Sequence, residues 1–175
     1  MNLIITTAAI IMSMCMNGSQ IQENEFYYNT ELENNQVTAK YVYKQVSIPY
    51  KHTTYKVLKP LRKYDYTYDA TDRLATQVTY KWDGSNWYPE SRLTYIYATD
   101  GYSVSYSVWS SDMQRFSAPI EKMVYTQQPD QSSIQICNYK LHGSKWIQTS
   151  NVMAPTTHNL SEAYHHRRKL ISHLN

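Results

Sequence analysis

An eight-residue phrase occurs twice in this chain, as Tyr80-Lys81-Trp82-Asp83-Gly84-Ser85-Asn86-Trp87 and as Tyr139-Lys140-Leu141-His142-Gly143-Ser144-Lys145-Trp146, with Tyr, Lys, Gly, Ser and Trp at the same offsets. An aromatic strand, a glycine turn and a second aromatic strand predict a β-hairpin. One hairpin cannot bury its apolar face alone, so a repeated one commits the chain to strands laid side by side. The second phrase starts 59 residues after the first, about twice a shorter step. Tyr68, Tyr97 and Tyr125 lie 29 and 28 residues apart, and each ends a segment that alternates with period two. The repeating unit of about 29 residues is therefore two strands long. Its turns are of two kinds. One is flanked by large apolar side chains, at Trp82 to Trp87, Trp109 to Phe116 and Leu141 to Trp146. The other is led by tyrosine or its equivalent, at Tyr68 to Asp72, Tyr97 to Gly101 and Thr126 to Gln131.

The alternation also predicts a register. With Trp82 opposite Trp87, Tyr80 faces Pro89, Val78 faces Ser91, Thr76 faces Leu93 and Leu74 faces Tyr95. One face then carries Leu74, Val78, Tyr80, Trp82, Trp87, Leu93, Tyr95 and Tyr97, and continues through Tyr102, Val104, Tyr106 and Val108. The other carries Gln77, Thr79, Lys81, Glu90, Arg92 and Thr94, then Ser103, Ser105 and Ser107. A slip of one residue would turn the aromatic face to water.

Composition narrows the kind of core. At 175 residues the chain is one domain, and it holds 18 tyrosines against 2 phenylalanines. A buried aromatic removes roughly 150–250 Å² from water, and tyrosine keeps a hydroxyl that seeks a partner. That suits a thin or rolled sheet, with rings inside and tips wet. Beyond Gly18, the glycines fall at Gly84, Gly101 and Gly143, all in expected turns where a positive φ is needed. Net charge is +3, of which Arg167, Arg168, Lys169 and Glu162 give the final segment +2 and leave the β body near neutral. Its aromatics alternate with Ser and Thr rather than Lys and Arg, which argues against a nucleic-acid binder.

Leu3 to Met16 is an apolar run of signal-peptide length, too short to span a membrane, although no Lys or Arg precedes it. The expected organisation is a signal peptide at 1–19, a β-meander domain at 20–158 and a basic helix or tail at 159–175. The protein is then secreted or periplasmic, with no transmembrane span. Cys15 stands where the cysteine of a lipoprotein would, but Met14 is a poor residue to precede one. Cys137 is left without an intramolecular disulfide partner and reads as a small buried hydrophobe at the position of Val78.

The search for chemistry yields little. Asp69, Asp72, Asp83, Asp100, Asp112 and Asp130 fall in turns, where Asp is favoured for local backbone hydrogen bonds. Glu90 and Glu121 sit at matching repeat positions near cations, a cross-strand charge pattern. His52, His142, His158, His165, His166 and His173 lack metal-ligand spacing, so no metal or cofactor is expected. Asn159-Leu160-Ser161-Glu162 is a capping box that opens a short C-terminal helix, read as a cap on the sheet's end or as a basic dock for an acidic partner. Trp82, Trp87, Trp109, Phe116 and Trp146 gather at one end of the meander. Exposed, they would form a platform for sugar rings; packed as cross-strand pairs, they pin the hairpins, which is the preferred reading.

The stretch Tyr64-Asp65-Tyr66-Thr67-Tyr68-Asp69-Ala70-Thr71-Asp72-Arg73-Leu74 resembles a tyrosine-aspartate (YD) repeat of large bacterial extracellular shell proteins. The longer pattern, through Tyr80-Lys81-Trp82, Trp87, Ser91-Arg92-Leu93-Thr94-Tyr95 and Gly101-Tyr102-Ser103-Val104, is similar to a family of small exported proteins of gut Bacteroidetes, domain of unknown function 3836. The resemblance covers roughly residues 24 to 153. It implies an exported protein and brings no activity, ligand or catalytic residue. The expectation is an all-β antiparallel meander of about eight strands, with a ragged first copy at Phe26 to Tyr28 and Val37 to Val46, twisted or rolled toward a half-barrel. The expected function is a non-catalytic exported binding or surface-interaction module, its partner a cell-surface protein or a glycan. Two alternatives stand beside it: a structural repeat that self-associates through its sheet edges, and a carrier of a small apolar or glycan ligand.

Overall fold

The structure is a computed structural model that describes residues 26–156. The expected leader and C-terminal helix lie outside the described residues. Ten strands form one antiparallel sheet: β1 (Phe26–Glu33), β2 (Gln36–Tyr50), β3 (Thr53–Tyr68), β4 (Leu74–Trp82), β5 (Trp87–Ala98), β6 (Gly101–Ser110), β7 (Arg115–Phe116), β8 (Glu121–Gln127), β9 (Ser133–His142) and β10 (Lys145–Pro155). Spatial order follows chain order, except that the two-residue β7 pairs only with the end of β6. The edge strands β1 and β10 do not pair with each other, so the meander stays open. Two strands beyond the expected eight come from β7 and from a first copy that is far from ragged, since β2 and β3 run for 15 and 16 residues.

Turn chemistry is local and matches expectation. Asn34 and Asn35, with φ of 50° and 63°, make the two-residue turn between β1 and β2, in which both central residues need positive φ. The Asp69 carboxylate accepts from the Thr71 and Arg73 backbone N–H groups at 2.8 and 3.0 Å, and Asp83 accepts from those of Ser85 and Asn86 at 2.8 and 2.7 Å. Gly84 and Gly143 have positive φ, but Gly101 does not. Its requirement is different: a Cβ there would overlap the backbone carbonyl of Tyr125 on β8.

The register departs from expectation at one recurring point. Trp82 faces Trp87 and Tyr80 faces Pro89 as predicted, but Thr79 faces Ser91, so Glu90 is an extra residue that forms a β-bulge. In the last hairpin Tyr139 faces Gln148 while Asn138 faces Ser150, and the extra residue is Thr149. Glu90 and Thr149 each follow their tryptophan by three positions. A third copy sits in the first long hairpin: Tyr43 faces Pro60, Val42 faces Arg62, and Leu61 is extra. Tyr43-Lys44, Tyr80-Lys81 and Tyr139-Lys140 are thus the same place in three modules. Pro60 and Pro89, which cannot donate to a ladder, flank the bulges where the ladder is broken anyway.

Each bulge moves one strand's alternation to the opposite face. Beyond it Val78 faces Arg92 and Gln77 faces Leu93, where Ser91 and Thr76 were expected as their partners; on the other side of β4 a separate shift sets Leu74 opposite Tyr68. The single aromatic face of the sequence reading is therefore divided between the two sides of the sheet. A tyrosine face carries Leu93, Tyr95, Val104, Tyr106, Met123 and Tyr125 together with Gln77 and Thr79, and Thr79 is only 8% exposed. A tryptophan face carries Val78, Tyr80, Trp82, Trp87, Arg92 and Ser107.

The core lies on the tyrosine face. Leu93, Val104 and Tyr125 are buried, with Tyr95, Tyr102, Tyr106, Met123, Ile134 and Ile136 packed around them. Tyr102 and Tyr125 stack at 4.5 Å. The hydroxyls of Tyr68 and Tyr97 donate to the carbonyls of Val37 and Leu74 at 2.9 Å, so rings inside keep their tips satisfied on a neighbouring strand.

Candidate functional site

Two surfaces are shaped by the bulges. On the tyrosine face, Leu93, Val104, Tyr106 and Met123 form the floor of a concavity of about 560 Å³. Asn138 and the bulge residue Thr149 line its side, and the ion pair of Glu121 with Lys140, at 3.2 Å, lies at its rim. The equivalent bulge in the middle hairpin is occupied differently, because Glu90 there pairs with Arg62 reaching across from β3. One copy of the module is closed by an ion pair and the other is open. Burial of this face pushes the hydroxyls of Tyr66 and Tyr95 up to about 12, and moves those of Tyr102 and Tyr125 upward as well.

The tryptophan face gathers the five aromatic residues singled out in the sequence. Trp82 meets Trp87 edge to face at 5.0 Å, and Trp109 meets Phe116 in the same way at 5.0 Å. Trp146 faces Leu141 and is 39% exposed, while the other four are half-buried. The aromatic-flanked turns all lie at one end of the sheet, as alternating strand directions require. Trp87 also lies 6.1 Å from Tyr41 on β2, although these strands are about 14 Å apart in a flat sheet. The two rings lean toward each other over Lys63, whose ammonium is 5.7 Å from Tyr41 and 5.2 Å from Tyr80.

Three turn carboxylates are engaged in local hydrogen bonds. The Thr71 hydroxyl and its neighbours hold the Asp69 carboxyl well below the usual range, and backbone N–H groups lower Asp83. The Ser132 hydroxyl and N–H lower Asp130 in the same way. Cys137 is half-buried on the tryptophan face at the register position of Val78, opposite Val124 and Asn151. Among the described residues, no three of His, Cys, Asp and Glu come together to hold a metal, and no helix is long and apolar enough to cross a membrane.

Residues 1–127 match a family of unknown function, DUF3836. The chain belongs to that family. The crystal structure of a protein with unknown function from Bacteroides fragilis is similar over 76% of this chain and 94% of its own, with a TM-score of 0.63 at 23% identity. Two DUF3836 structures are also similar at 17% identity. The one from Bacteroides vulgatus covers 74% of this chain and 97% of its own with a TM-score of 0.45, and the one from Parabacteroides distasonis covers 77% and 93% with a TM-score of 0.47. No curated protein matches the chain. At 23% identity the likeness to the Bacteroides fragilis protein shows the fold alone and leaves the site to be argued from its residues.

Sequence reasoning found the tryptophan cluster and missed the concavity. Tyr106 was placed on an aromatic face; Asn138 reaches that face by facing Met123, and Thr149 is the extra residue of the bulge beside it. Pro89 within a strand was the available signal, and Pro60 repeated it.

Proposed function

We propose that this DUF3836 protein is an exported, non-catalytic binding module whose ligand site is the concavity of the tyrosine face. The observation that carries the reading is the lining: an apolar floor of Leu93, Val104 and Met123, a Tyr106 ring, and a polar rim of Asn138, Thr149, Glu121 and Lys140. Its volume falls in the range of small-molecule sites, roughly 300–1,000 Å³, and this mixture suits a mostly apolar molecule with one polar end. The carboxylates of Asp69, Asp83 and Asp130 are committed to turns, which favours binding over catalysis. The resemblance of Tyr64 to Leu74 to a tyrosine-aspartate repeat points to the same outward-facing setting.

The test is melting temperature against an octyl glucoside series and a fluorescent anilinonaphthalene probe. A ligand that binds the native state raises melting temperature with concentration, as the logarithm of concentration once the dissociation constant is exceeded. Thr149→Trp fills the concavity from an exposed bulge and should abolish the rise while leaving the fold intact. A rise that persists in Thr149→Trp would place the site elsewhere.

Self-association through sheet edges is a second reading, favoured by the edge strand β10. Ile147, Val152 and Met153 are 51%, 52% and 52% exposed there, and a long apolar edge is a template for pairing. Sedimentation that depends on protein concentration, and is suppressed by Val152→Lys, would support it.

A further inference from the structure

On the tryptophan face, between β5 and β10, two cations have no neutralising partner among the described residues. Arg92 on β5 lies 4.8 Å from the ring centre of Phe116, and Lys122 on β8 lies 5.1 and 5.2 Å from those of Trp146 and Tyr139. Neither makes an ion pair, whereas Arg62, Lys63, Arg73 and Lys140 each do. The Nε–H of Arg92 is buried with no acceptor. Strand β6 runs between the two cations, and the register sets Thr94 opposite Ser105 and Ser105 opposite Lys122. A row of hydroxyls thus separates the charges. Lys122 also borders a shallow concavity of about 240 Å³, whose lining includes Ile96, Asp100, Ser103 and Val124. The strand carboxylates of this half, Glu90 and Glu121, are paired with Arg62 and Lys140.

We propose that this strip binds an acidic polysaccharide, a hydroxyl-rich chain bearing carboxylate or sulfate groups. The two charges stand over different rings, Arg92 over Phe116 and Lys122 over Tyr139 and Trp146, an arrangement matched by a ligand with at least two anionic groups along an extended chain. Single-stranded nucleic acid would need open ring faces for its bases to stack on. Here cations already lie over Phe116, Tyr139 and Trp146. What the strip offers is a guanidinium, an ammonium and the hydroxyls of Ser103, Ser105 and Thr94, a donor set that a charged saccharide satisfies. By register the side chains of this strip lie on the opposite face from the concavity proposed above, although Lys122 and Tyr139 border both.

Calorimetric titration of the full chain with polygalacturonate and with chondroitin sulfate tests the proposal, with dextran, inorganic sulfate and oligothymidylate as comparison probes. Expected are saturable binding of at least one acidic polysaccharide, none of dextran, and competition by inorganic sulfate only in large excess. Lys122→Gln should weaken binding about tenfold at low salt and reduce the slope of log K against log salt by about one. Lys122→Arg should preserve binding, and Thr149→Trp on the other face should leave it unchanged. Arg92→Gln, checked by melting because part of the side chain is buried, should lower affinity further. Equal binding by Lys122→Gln and the parent chain would overturn the proposal. So would oligothymidylate binding as tightly as the saccharides, or no binding of either polysaccharide.

Discussion

The middle of the sheet and the outer half of its first long hairpin use the same residue types and reach different ends. Between β4 and β9 every strand except the two-residue β7 has a neighbour on both sides, and Leu93, Val104 and Tyr125 are 8%, 5% and 8% exposed. Among the described residues the hairpin of β2 and β3 continues past its neighbours: β1 pairs only as far as Lys44 and β4 only as far as Arg62, so there residues 45–59 form a two-stranded ribbon. In and beside its turn, Tyr50 and Tyr55 are 58% and 53% exposed although their rings meet at 6.1 Å. Alternation alone does not make a core. Aromatic rings are buried here only where strands on either side extend as far as they do, and an isolated ribbon of two strands is marginal by itself.

The sharpest test of that contrast is Gly101→Ala. Its Cβ would collide with the Tyr125 carbonyl on the neighbouring strand, so the change should cost about 3 kcal/mol of unfolding free energy in denaturant titration. A cost under about 0.5 kcal/mol would mean that β6 and β8 are not held together as closely as described. Next in size, Leu93→Ala should lose about 2 kcal/mol or more, while Leu58→Ala in the ribbon should stay within about 0.5 kcal/mol. Equal losses would break the comparison, since they would mean that the ribbon is covered in solution.

Trp87→Ala removes contacts with both Trp82 and Tyr41, and should cost about 0.5–1.5 kcal/mol beyond the burial it loses. Tyr55→Ala removes one exposed pair and should cost less, as thermal melts of the two variants would show. The smallest effect, spread over several partly wet hydroxyls, is alkaline. The hydroxyls of Tyr66 and Tyr95 are raised by burial from 10.0 to about 12, so the folded state holds these protons more tightly than the unfolded chain. Their contribution is complete below pH 10 and is lost as pH rises toward about 12. Melting temperature should therefore fall across that window, in step with the growth of phenolate absorbance.

What could be read from the sequence was what is decided locally. The turns at Asp69, Asp83 and Asp130, and the facing pairs Trp82 with Trp87, Trp109 with Phe116 and Tyr97 with Tyr102, follow from a few adjacent residues and were legible. The bulges were not, because an extra residue keeps the period-two pattern on each side and reveals itself only against a partner strand. That hid the division of aromatics between two faces, and with it the concavity, whose Asn138 and Thr149 lie at a bulge. The cations on the tryptophan face were visible as residues. Their lack of partners was not, since Glu90 and Glu121 lie next to cations in the sequence, whereas the structure pairs them with Arg62 and Lys140 on other strands.

The recurring bulge has a consequence for how such a chain can vary. It acts as a fixed elbow, and everything distal to it is forearm: Lys81–Tyr88 and Lys140–Ile147 in two hairpins, but Lys44–Lys59, twice as long, in the first. Reach can be lengthened or shortened past the elbow without disturbing the trunk, so a protein of this design can lengthen one limb toward a distant target while its body stays the same.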